Sequence, residues 1–549
     1  MSTSNAIKRV TYSFPTPKHP CYHVDLTIQM ETAKDWVVEQ VMTNGRECRD
    51  FWVYSNGKYF KDDVILGGAS SNVVVRLDWT NSSSNTVELN LIEKEGNERV
   101  PLTSSSTAPS EGGFWNPAWK YYASVVLREN DGYARTSEPI HMTLAVYADR
   151  VTDLEKEVRV VAVDPLSGVQ AEVPSQVYGV SSWAEQPANK RYQPTAICEV
   201  AFLADVPART EKVYLVFYGN PRAEKPVYLT DLKVTGEGLG LTVENAFYKM
   251  HMQDTSGSVD EIWLKMGVNE KLEHRLETNG AVQWNPGIYS PPRPWIHASD
   301  WNPPPHYAEI RGPVFCMTKR WGVFPQYPEI EVSITYLFYA NNPYLMFDST
   351  LDVLKDLPVK ALRNGEVVFN RAVFDEFAWK KPDGTMGSMV ITDGPRHPKH
   401  ALRIEPDTPW LAYYSREHRC GFGGITLRLS ETRRGEGLPR IDYPFIYLAW
   451  GPWTYWSRVY TYTYGSNNPQ RMVPVAGGST YYEKMAFLPF RLGETDADRF
   501  TCLEQYQQRL VHPLDWRIEL DTDLRVPRPT PEEWVPPILV AEFEEMEEE

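Results

Sequence analysis

One segment of 28 residues, from Trp284 to Arg311, concentrates side chains that could bind and transform a ligand. It contains seven prolines, about three times the average density of the chain. Because each proline removes a backbone donor and restricts the residue before it, we expect a long, stiff loop rather than a helix or a central strand. The aromatic and titratable residues of this loop are Trp284, Tyr289, Trp295, Trp301, Tyr307, Arg293, His297, Asp300, His306 and Glu309.

This combination of side chains is typical of carbohydrate recognition, in which aromatic rings stack on sugar C–H faces and planar polar groups meet sugar hydroxyls. We therefore predict that Trp284, Trp295 and Trp301 bind a sugar, since long ordered loops often carry function. A structural alternative stays open. The prolines and tryptophans could instead pack together and hold down the edge of a sandwich, with the histidines bonded to backbone groups.

The same segment offers groups for β-elimination of a uronic-acid polymer. That reaction needs a base for the C5 proton, a positive group for the developing charge, and an acid for the leaving oxygen. We predict His297 or His306 as the base and Tyr289 or Tyr307 as the acid. Arg293 would hold the substrate carboxylate, because a guanidinium binds carboxylates bidentately.

A metal site is a second interpretation of these residues. His297, Asp300, His306 and Glu309 are ligand types that suit Zn, Mn or Ca, and Ca would prefer the oxygens. Their spacing matches no standard metal motif, and isolated histidines are more often structural. The sequence therefore makes no cofactor certain, and a divalent metal, Ca, Mn or Zn, is a candidate.

Two further clusters could complete a site for an anionic sugar. Residues 360–371 contain Arg363 and Asn364 beside Glu366, for which the alternative is an ordinary Asn-Gly hairpin turn. Basic residues also gather in two later segments, for which the alternative is a solvated loop. These are His397 and His400 in 394–400, and Arg416, His418 and Arg419 in 413–424.

The elements that would position these residues are mostly strands. Apolar and polar residues alternate with period two in runs rich in Val, Tyr, Thr and Ile, and Gly, Pro, Asn, Asp and Ser separate the runs. In 331–354, the central Ala-Asn-Asn-Pro predicts a hairpin turn, and 497–511 predicts the one helix of any length. The remaining predicted strands are 71–79, 85–94, 121–130, 141–151, 156–164, 196–206 and 211–219.

The length of 549 residues predicts several domains, and the 43 prolines disfavour long helices. We predict an all-β, multidomain fold in which two small antiparallel β-sandwiches precede a supersandwich-like domain. Its boundaries follow Ser/Thr-rich and Gly-rich stretches. They give an N-terminal β domain at 1–105, a second sandwich at 106–240, a catalytic domain at 241–515, and a Pro-rich strap with an acidic tail at 516–549.

A family resemblance agrees with this division. The hairpin-like sequence pattern of 243–265, followed by the long paired strands predicted in 332–356, resembles the β-supersandwich of galactose-mutarotase-like carbohydrate-active proteins. The order of two small β domains before it is similar to that of exo-acting rhamnogalacturonan lyases. The resemblance covers about half of the chain and implies action on a sugar, but its patterning assigns no catalytic residue.

Charge and composition exclude several other classes. With 72 acidic and 56 basic residues, the chain lacks the excess of cations that nucleic-acid binding needs. Eight glutamates after Pro531 supply half of the net charge of −16, so the body is only mildly acidic.

Six scattered cysteines form no C-x-x-C pair, and no apolar signal or membrane span is visible. We therefore expect a cytoplasmic protein without a membrane partner.

These observations favour a carbohydrate-active enzyme, specifically a lyase that cleaves a uronate-containing glycan or oligosaccharide by β-elimination. Its partner would be an acidic glycan, and assembly into a homo-oligomer stays open. One alternative is a non-catalytic carbohydrate-binding or structural β-sandwich protein. A second alternative is a sugar mutarotase or isomerase-like enzyme, which would need a histidine and a glutamate facing a monosaccharide. No nucleophile elbow, P-loop or dinucleotide-binding motif occurs.

Overall fold

The computed structural model describes most of the chain, and its structure is all-β. Residues Met1–Val227 and Leu514–Glu549 form one compact unit, and Tyr228–Pro513 form a second. In the part of the chain that is described, no helix has both the length and the apolar character needed to cross a bilayer. The described residues are 7–14, 21–49, 51–55, 58–59, 63–79, 85–93, 103–106, 115–116, 118–164, 170–183, 195–265, 274–277, 287–370, 373–391, 401–437, 443–447, 453–462, 468, 470–519 and 541–545.

The first unit begins with seventeen strands and one short helix. They are β1 Ile7–Phe14, β2 Cys21–Glu31, β3 Trp36–Thr43, β4 Arg46–Cys48, β5 Phe51–Ser55, β6 Lys58–Tyr59, β7 Val64–Ile65, β8 Ser70–Trp79, β9 Asn85–Glu93, β10 Thr103–Ser106, β11 Tyr121–Arg128, β12 Arg135–Tyr147, α1 Leu154–Glu157, β13 Arg159–Val163, β14 Gln170–Val173, β15 Ser175–Trp183, β16 Thr195–Val206 and β17 Glu211–Tyr218.

The second unit follows, and the last two strands return to the first. The elements are β18 Lys233–Glu237, β19 Gly240–Glu244, β20 Tyr248–Met252, β21 Val259–Leu264, β22 His274–Glu277, β23 Gly287–Tyr289, β24 Ile296–His297, β25 His306–Arg311, β26 Phe315–Phe324, β27 Tyr327–Tyr339, β28 Leu345–Val353, β29 Leu357–Val359, β30 Ala361–Asn370, β31 Glu376–Lys380, β32 Met386–Val390, β33 Ala401–Arg403, β34 Trp410–Ser415, β35 Cys420–Arg433, β36 Glu436–Gly437, β37 Tyr443–Tyr447, β38 Trp453–Tyr462, β39 Val473–Val475, β40 Ser479–Arg491, α2 Thr501–Val511, β41 Asp515–Glu519 and β42 Ala541–Glu545.

Two antiparallel sandwiches make up the first unit. In one, the sheet β4-β3-β9-β1-β42 packs against the sheet β10-β2-β8-β5-β6 over a core that includes Leu26, Val75 and Leu89. In the other, β14-β13-β17-β11-β41 packs against β12-β16-β15. The strands predicted between residues 71 and 219 are confirmed, because alternate apolar residues along each strand point into these cores.

Two strands near the C-terminus belong to sheets of the first unit. Strand β41 pairs with β11, and β42 pairs with β1, so both complete sheets of the first unit. The Pro-rich residues 520–540 lie outside the described part of the chain. An extended acidic segment can add to a sheet because ladder hydrogen bonds use the backbone rather than the side chains.

The second unit contains the large sheets on which the candidate residues lie. A ten-stranded sheet runs β25-β26-β27-β28-β40-β35-β34-β31-β32, with β36 paired to β35. A six-stranded sheet runs β24-β23-β30-β38-β37-β33, and a five-stranded sheet runs from β18 to β22. Strands β29 and β39 form a separate pair. The Gly-rich residues 236–240 form the turn between β18 and β19, within this unit.

Local predictions in the second unit have mixed outcomes. The hairpin at Ala-Asn-Asn-Pro is confirmed by the pairing of β27 with β28, and α2 confirms the helix. The Asn-Gly hairpin turn near residue 364 is wrong. Strand β30 continues through it and makes a bulge against β38 between Asn364 and Val367. A bulge accommodates extra residues without reversing the chain, which the local sequence does not reveal.

Candidate functional site

The segment from Trp284 to Arg311 is not one long loop. It contains β23 and β24, which pair with each other, and β25, which lies at the edge of the ten-stranded sheet. The described prolines lie between these strands, where no backbone N–H is needed for a hydrogen bond to a neighbouring strand. The expectation of an extended loop is therefore corrected. Trp284 lies outside the described residues.

Four of the predicted residues come together on one face of the six-stranded sheet. Strand β23 is bonded to β24 on one side and to β30 on the other, with Gly287 opposite both His297 and Arg363. Tyr289 and Trp295 lie on the same face, each two residues along the chain from Gly287 and His297 respectively. Because side chains of paired strands with the same parity project together, the sheet presents these groups side by side.

The rings of this cluster are nearly parallel. Tyr289 and Trp295 have centroids 5.3 Å apart at an interplanar angle of 12°, and Trp295 and His297 are 5.7 Å apart at 5°. The guanidinium carbon of Arg363 lies 4.4 Å from the Trp295 centroid. Arg363 is 7% exposed, whereas the three rings are half-buried. We call Tyr289, Trp295, His297 and Arg363 the hairpin cluster.

Asp300 bonds to the backbone of His297 at the edge of the hairpin cluster. Its Oδ2 accepts the backbone N–H of His297 at 2.7 Å and lies 3.9 Å from the imidazole Nδ1. The opposite edge of the ring faces Gly287, where a Cβ would sit 2.9 Å from Nε2. The carboxylate therefore lies near one edge of the imidazole, and the missing side chain of Gly287 leaves room for the other edge.

Arg293 does not join this cluster. Its Nη1 donates to Glu329 Oε2 at 2.8 Å and to the carbonyl of Gln326 at 3.1 Å, and its guanidinium lies 4.2 Å from the Tyr327 centroid. Burial raises the pKa of Glu329, but the hydrogen bond from Arg293, a backbone hydrogen bond and the charges of Arg293 and Lys355 together outweigh it and leave the pKa below its ordinary value. The guanidinium of Arg293 is thus engaged in an ion pair with Glu329, and its predicted role as a carboxylate clamp stays a prediction.

Trp301 is also a structural residue. It is 2% exposed, donates from its indole N–H to the carbonyl of Val323 at 3.0 Å, and stacks on Phe324 with centroids 6.1 Å apart. A ring buried in this way has no face on which a sugar could stack. The predicted sugar-binding role therefore fails for Trp301, while Trp295 keeps a solvent-accessible position.

His306, Tyr307 and Glu309 lie on β25, in a different sheet from His297. His306 is exposed and stacks on Trp321 with centroids 5.3 Å apart. The Tyr307 hydroxyl donates to Glu309 Oε2 and to the carbonyl of Gly238, both at 2.8 Å. Burial, followed by the Glu309 hydrogen bond, raises the pKa of Tyr307 well above its ordinary value. Tyr307 is thereby engaged with its own strand and the β18–β19 turn.

The predicted metal site is not assembled. His297 and Asp300 belong to the hairpin, whereas His306 and Glu309 lie on β25, and Glu309 also accepts from Arg311 Nε at 3.0 Å. Within the described ranges, no three His, Cys, Asp or Glu side chains are grouped so as to hold a metal ion. Closeness in sequence did not bring these side chains together because two separate sheets share the segment.

Two other predicted binding residues, Asn364 and Arg416, have partners within the protein. Asn364 is fully buried, accepts from the Ser349 hydroxyl at 2.9 Å and donates to the Tyr460 hydroxyl at 3.3 Å. Arg416 and His418 lie in the turn between β34 and β35, where Arg416 Nε donates to Glu376 Oε1 at 2.6 Å. Asn364 and Arg416 thus have structural contacts, and residues 394–400 lie outside the described part.

Sequence reasoning missed the outward face of the ten-stranded sheet. Trp321 on β26, and Asp348 and Tyr482 on β28 and β40, are half-buried residues of that face. Their strands are separated by up to 160 residues, so only the sheet register brings them together. The alternation within each strand was the one available signal, and it indicated which residues face outward but not which strands are neighbours.

Comparison with known proteins gives remote structural likeness alone. No protein-family model matches the chain, and no curated protein matches it. An alpha-mannosidase from Enterococcus faecalis V583 superposes with a TM-score of 0.44 at 11% identity, covering 73% of this chain and 46% of that one. A glycosyl hydrolase family 38 protein from Enterococcus faecalis gives 0.44 at 11%, covering 72% and 47%.

A smaller solved structure overlaps with part of the chain. A galactose mutarotase-like protein from Lactobacillus casei ATCC 334 has a TM-score of 0.28 at 10% identity, covering 45% of this chain and 99% of that one. The chain spans less than half the length of the two Enterococcus faecalis proteins. Function must therefore be argued from the residues of the site itself.

Proposed function

We propose that the second unit is a carbohydrate-active enzyme, a lyase that cleaves a uronate-containing glycan or oligosaccharide at the hairpin cluster. One observation carries the proposal. His297, Trp295 and Tyr289 stand in register on one sheet face, with the guanidinium of Arg363 4.4 Å from the central ring. A base, an acid and a fixed positive charge are thereby gathered around the ring of Trp295.

The proposed elimination assigns each group one task. The imidazole of His297 takes the C5 proton of the uronate. The released electron pair makes the C4–C5 double bond as the bond from C4 to the leaving oxygen breaks. The Tyr289 phenol gives its proton to that oxygen, and solvent returns both groups to their starting states.

Arg363 has an electrostatic task in this proposal. Charge builds up on the substrate carboxylate as the C5 proton leaves, and a positive group fixed close by lowers the energy of that state. Because Arg363 is nearly buried, its charge acts through a medium of lower dielectric constant than water. It takes the place that the sequence suggested for Arg293, whose guanidinium is held by Glu329.

The test is to incubate the protein with a panel of acidic polysaccharides and to follow the absorbance of unsaturated uronate. We expect product with the wild-type protein and at least a hundredfold slower formation with His297→Ala, the scale of losing a general base. His251→Ala is the matched control, since His251 is another part-buried histidine paired to a carboxylate, 2.7 Å from Asp260.

Other outcomes favour the alternatives. Interconversion of sugar anomers without chain cleavage would favour the mutarotase or isomerase alternative. Glycan binding without any conversion, over a range of pH and with added divalent metal, would exclude the lyase and leave a carbohydrate-binding protein.

A further inference from the structure

The ten-stranded sheet has a second face of polar and aromatic residues that point away from its buried side. The register of β25, β26, β27, β28, β40 and β35 places six of them in one row. In order across the sheet these are His306, Trp321, Ser333, Thr350, Tyr482 and Ser430. Each is partly or fully exposed, whereas their chain neighbours along the strands are mostly buried. We call this the outward row.

Two aromatic rings in the outward row are well spaced for a ligand longer than one sugar. Trp321 lies on β26 and Tyr482 on β40, three strand positions apart, which corresponds to about 14 Å. Directly between them, in register, stand the hydroxyls of Ser333 and Thr350. Each ring has a cation near one face, since Lys319 Nζ lies 5.4 Å from the Trp321 centroid and the Arg428 guanidinium carbon lies 5.6 Å from the Tyr482 centroid. A flat ligand crossing the strands would therefore stack on the faces that these cations leave and would meet the two hydroxyls between them.

Carboxylates beside the outward row are held in fixed orientations. The Tyr482 hydroxyl donates to Asp348 Oδ2 at 2.5 Å, and the Thr480 hydroxyl donates to Asp352 Oδ1 at 2.5 Å. Burial and the Asp348 hydrogen bond raise the pKa of Tyr482, so the phenol stays a donor at neutral pH. Each carboxylate has a second oxygen with which to accept a ligand hydroxyl without first reorganising.

The charges around the outward row balance. Six charged residues lie on the same face of the sheet as the outward row. The cations are Lys319, Lys484 and Arg428, and the anions are Glu331, Asp348 and Asp352. A polyanion would meet the three carboxylates, and an apolar partner would remove water from six charges, which is costly. An uncharged ligand rich in hydroxyls can instead donate to the carboxylates and accept from the cations.

We infer that the outward row is a binding surface for an uncharged oligosaccharide, which stacks on Trp321 and Tyr482 and hydrogen-bonds to Asp348. This inference goes beyond the proposed lyase, because binding there needs neither elimination chemistry nor the hairpin cluster. It also gives a role to His306, whose ring stacks on that of Trp321 with centroids 5.3 Å apart and an interplanar angle of 26°. His306 then supports a binding ring rather than acting as a base.

Calorimetric titration of the full chain with neutral gluco-, manno- and galacto-oligosaccharides tests the inference. We expect at least one series to bind, with an affinity that changes little between low and high salt. Trp321→Ala and Tyr482→Ala should each weaken binding about tenfold, the scale of one aromatic stacking contact. Tyr482→Phe keeps the ring but releases Asp348, so it should weaken binding less than Tyr482→Ala.

Two controls separate this surface from the hairpin cluster and from loss of fold. His297→Ala should bind neutral oligosaccharides as the wild type does, whether or not the lyase proposal holds. Trp263→Ala removes a part-exposed tryptophan of the five-stranded sheet and should not change binding. The inference is overturned if no neutral oligosaccharide binds, if only acidic glycans bind in a salt-sensitive way, or if folded Trp321→Ala binds with wild-type affinity.

Discussion

The imidazole of His297 lies against Gly287, so closely that a Cβ at Gly287 would sit 2.5 Å from the ring Cδ2. Gly287→Ala should therefore push the ring out of its stack with Trp295. Since a displacement of about 1 Å at a catalytic group can cost about a hundredfold, we expect turnover of an acidic glycan to fall by that order. Steady-state kinetics measure it. Gly437→Ala, with no atom within 4 Å of its Cβ, should leave turnover unchanged, and equal rates in the two variants would contradict the prediction.

Two tryptophans of the same segment should respond differently to truncation. Trp301 is 2% exposed and bonded to Val323, so Trp301→Ala should lower the free energy of unfolding by about 3–5 kcal/mol. Trp295 is half-buried on the hairpin cluster, and Trp295→Ala should weaken glycan affinity more than it lowers stability. Urea unfolding and glycan titration of both variants test this contrast, and a reversed order would contradict it.

Arg293 should matter for stability rather than for reaction. Its ion pair with Glu329 is partly exposed, with side-chain accessibilities of 30% and 23%, so Arg293→Ala should cost about 1 kcal/mol. Turnover should stay near that of the wild type because the guanidinium is engaged away from the hairpin cluster. Glu329→Gln is the paired control and should have a similar effect on urea unfolding. A folded Arg293→Ala protein without activity would restore Arg293 as the carboxylate clamp.

Glu129 should make the first unit sensitive to acid. Burial raises its pKa, but backbone N–H groups, among them those of Arg209 and Gly132, outweigh this and lower the pKa from 4.5 to about 2. Because the folded-state pKa is the lower one, this stabilisation is complete above about pH 4.5 and is lost as the pH falls toward 2.

Unfolding by urea between pH 7 and pH 2 measures that contribution. Glu129→Gln should be about 2 kcal/mol less stable than the wild type at pH 7, with a difference that shrinks toward pH 2. Glu155→Gln, at an exposed ion pair with Lys225, should change little. A difference that stays constant across this range would show that Glu129 acts through packing rather than charge.

Patterns within single strands were sufficient to predict much of the fold. Alternation along residues 71–79 and 196–206 identified β8 and β16, because one side of each strand faces a core. The turn at Ala-Asn-Asn-Pro and the helix ending before Pro513 were likewise visible locally. These features depend on residues close in sequence, so no knowledge of distant partners was needed.

The candidate site was predicted only in part because its contacts are not local. The association of Tyr289, Trp295 and His297 follows from their own hairpin, but that of Arg363 requires the pairing of β23 with β30. The ion pair of Arg293 was not predicted because its partner Glu329 lies 36 residues away. The bulge at Asn364 depends on β38, about 90 residues further along the chain.

The chain leaves the first unit after Val227 and rejoins it at Leu514. During synthesis, the ribosome must therefore produce the whole second unit before β41 and β42 exist to pair with β11 and β1. Until then β1 and β11 each have one neighbouring strand instead of two, and an unpaired strand edge can pair with the wrong strand. Premature termination near residue 514 should therefore spare the second unit and instead leave the N-terminal sandwiches prone to aggregation.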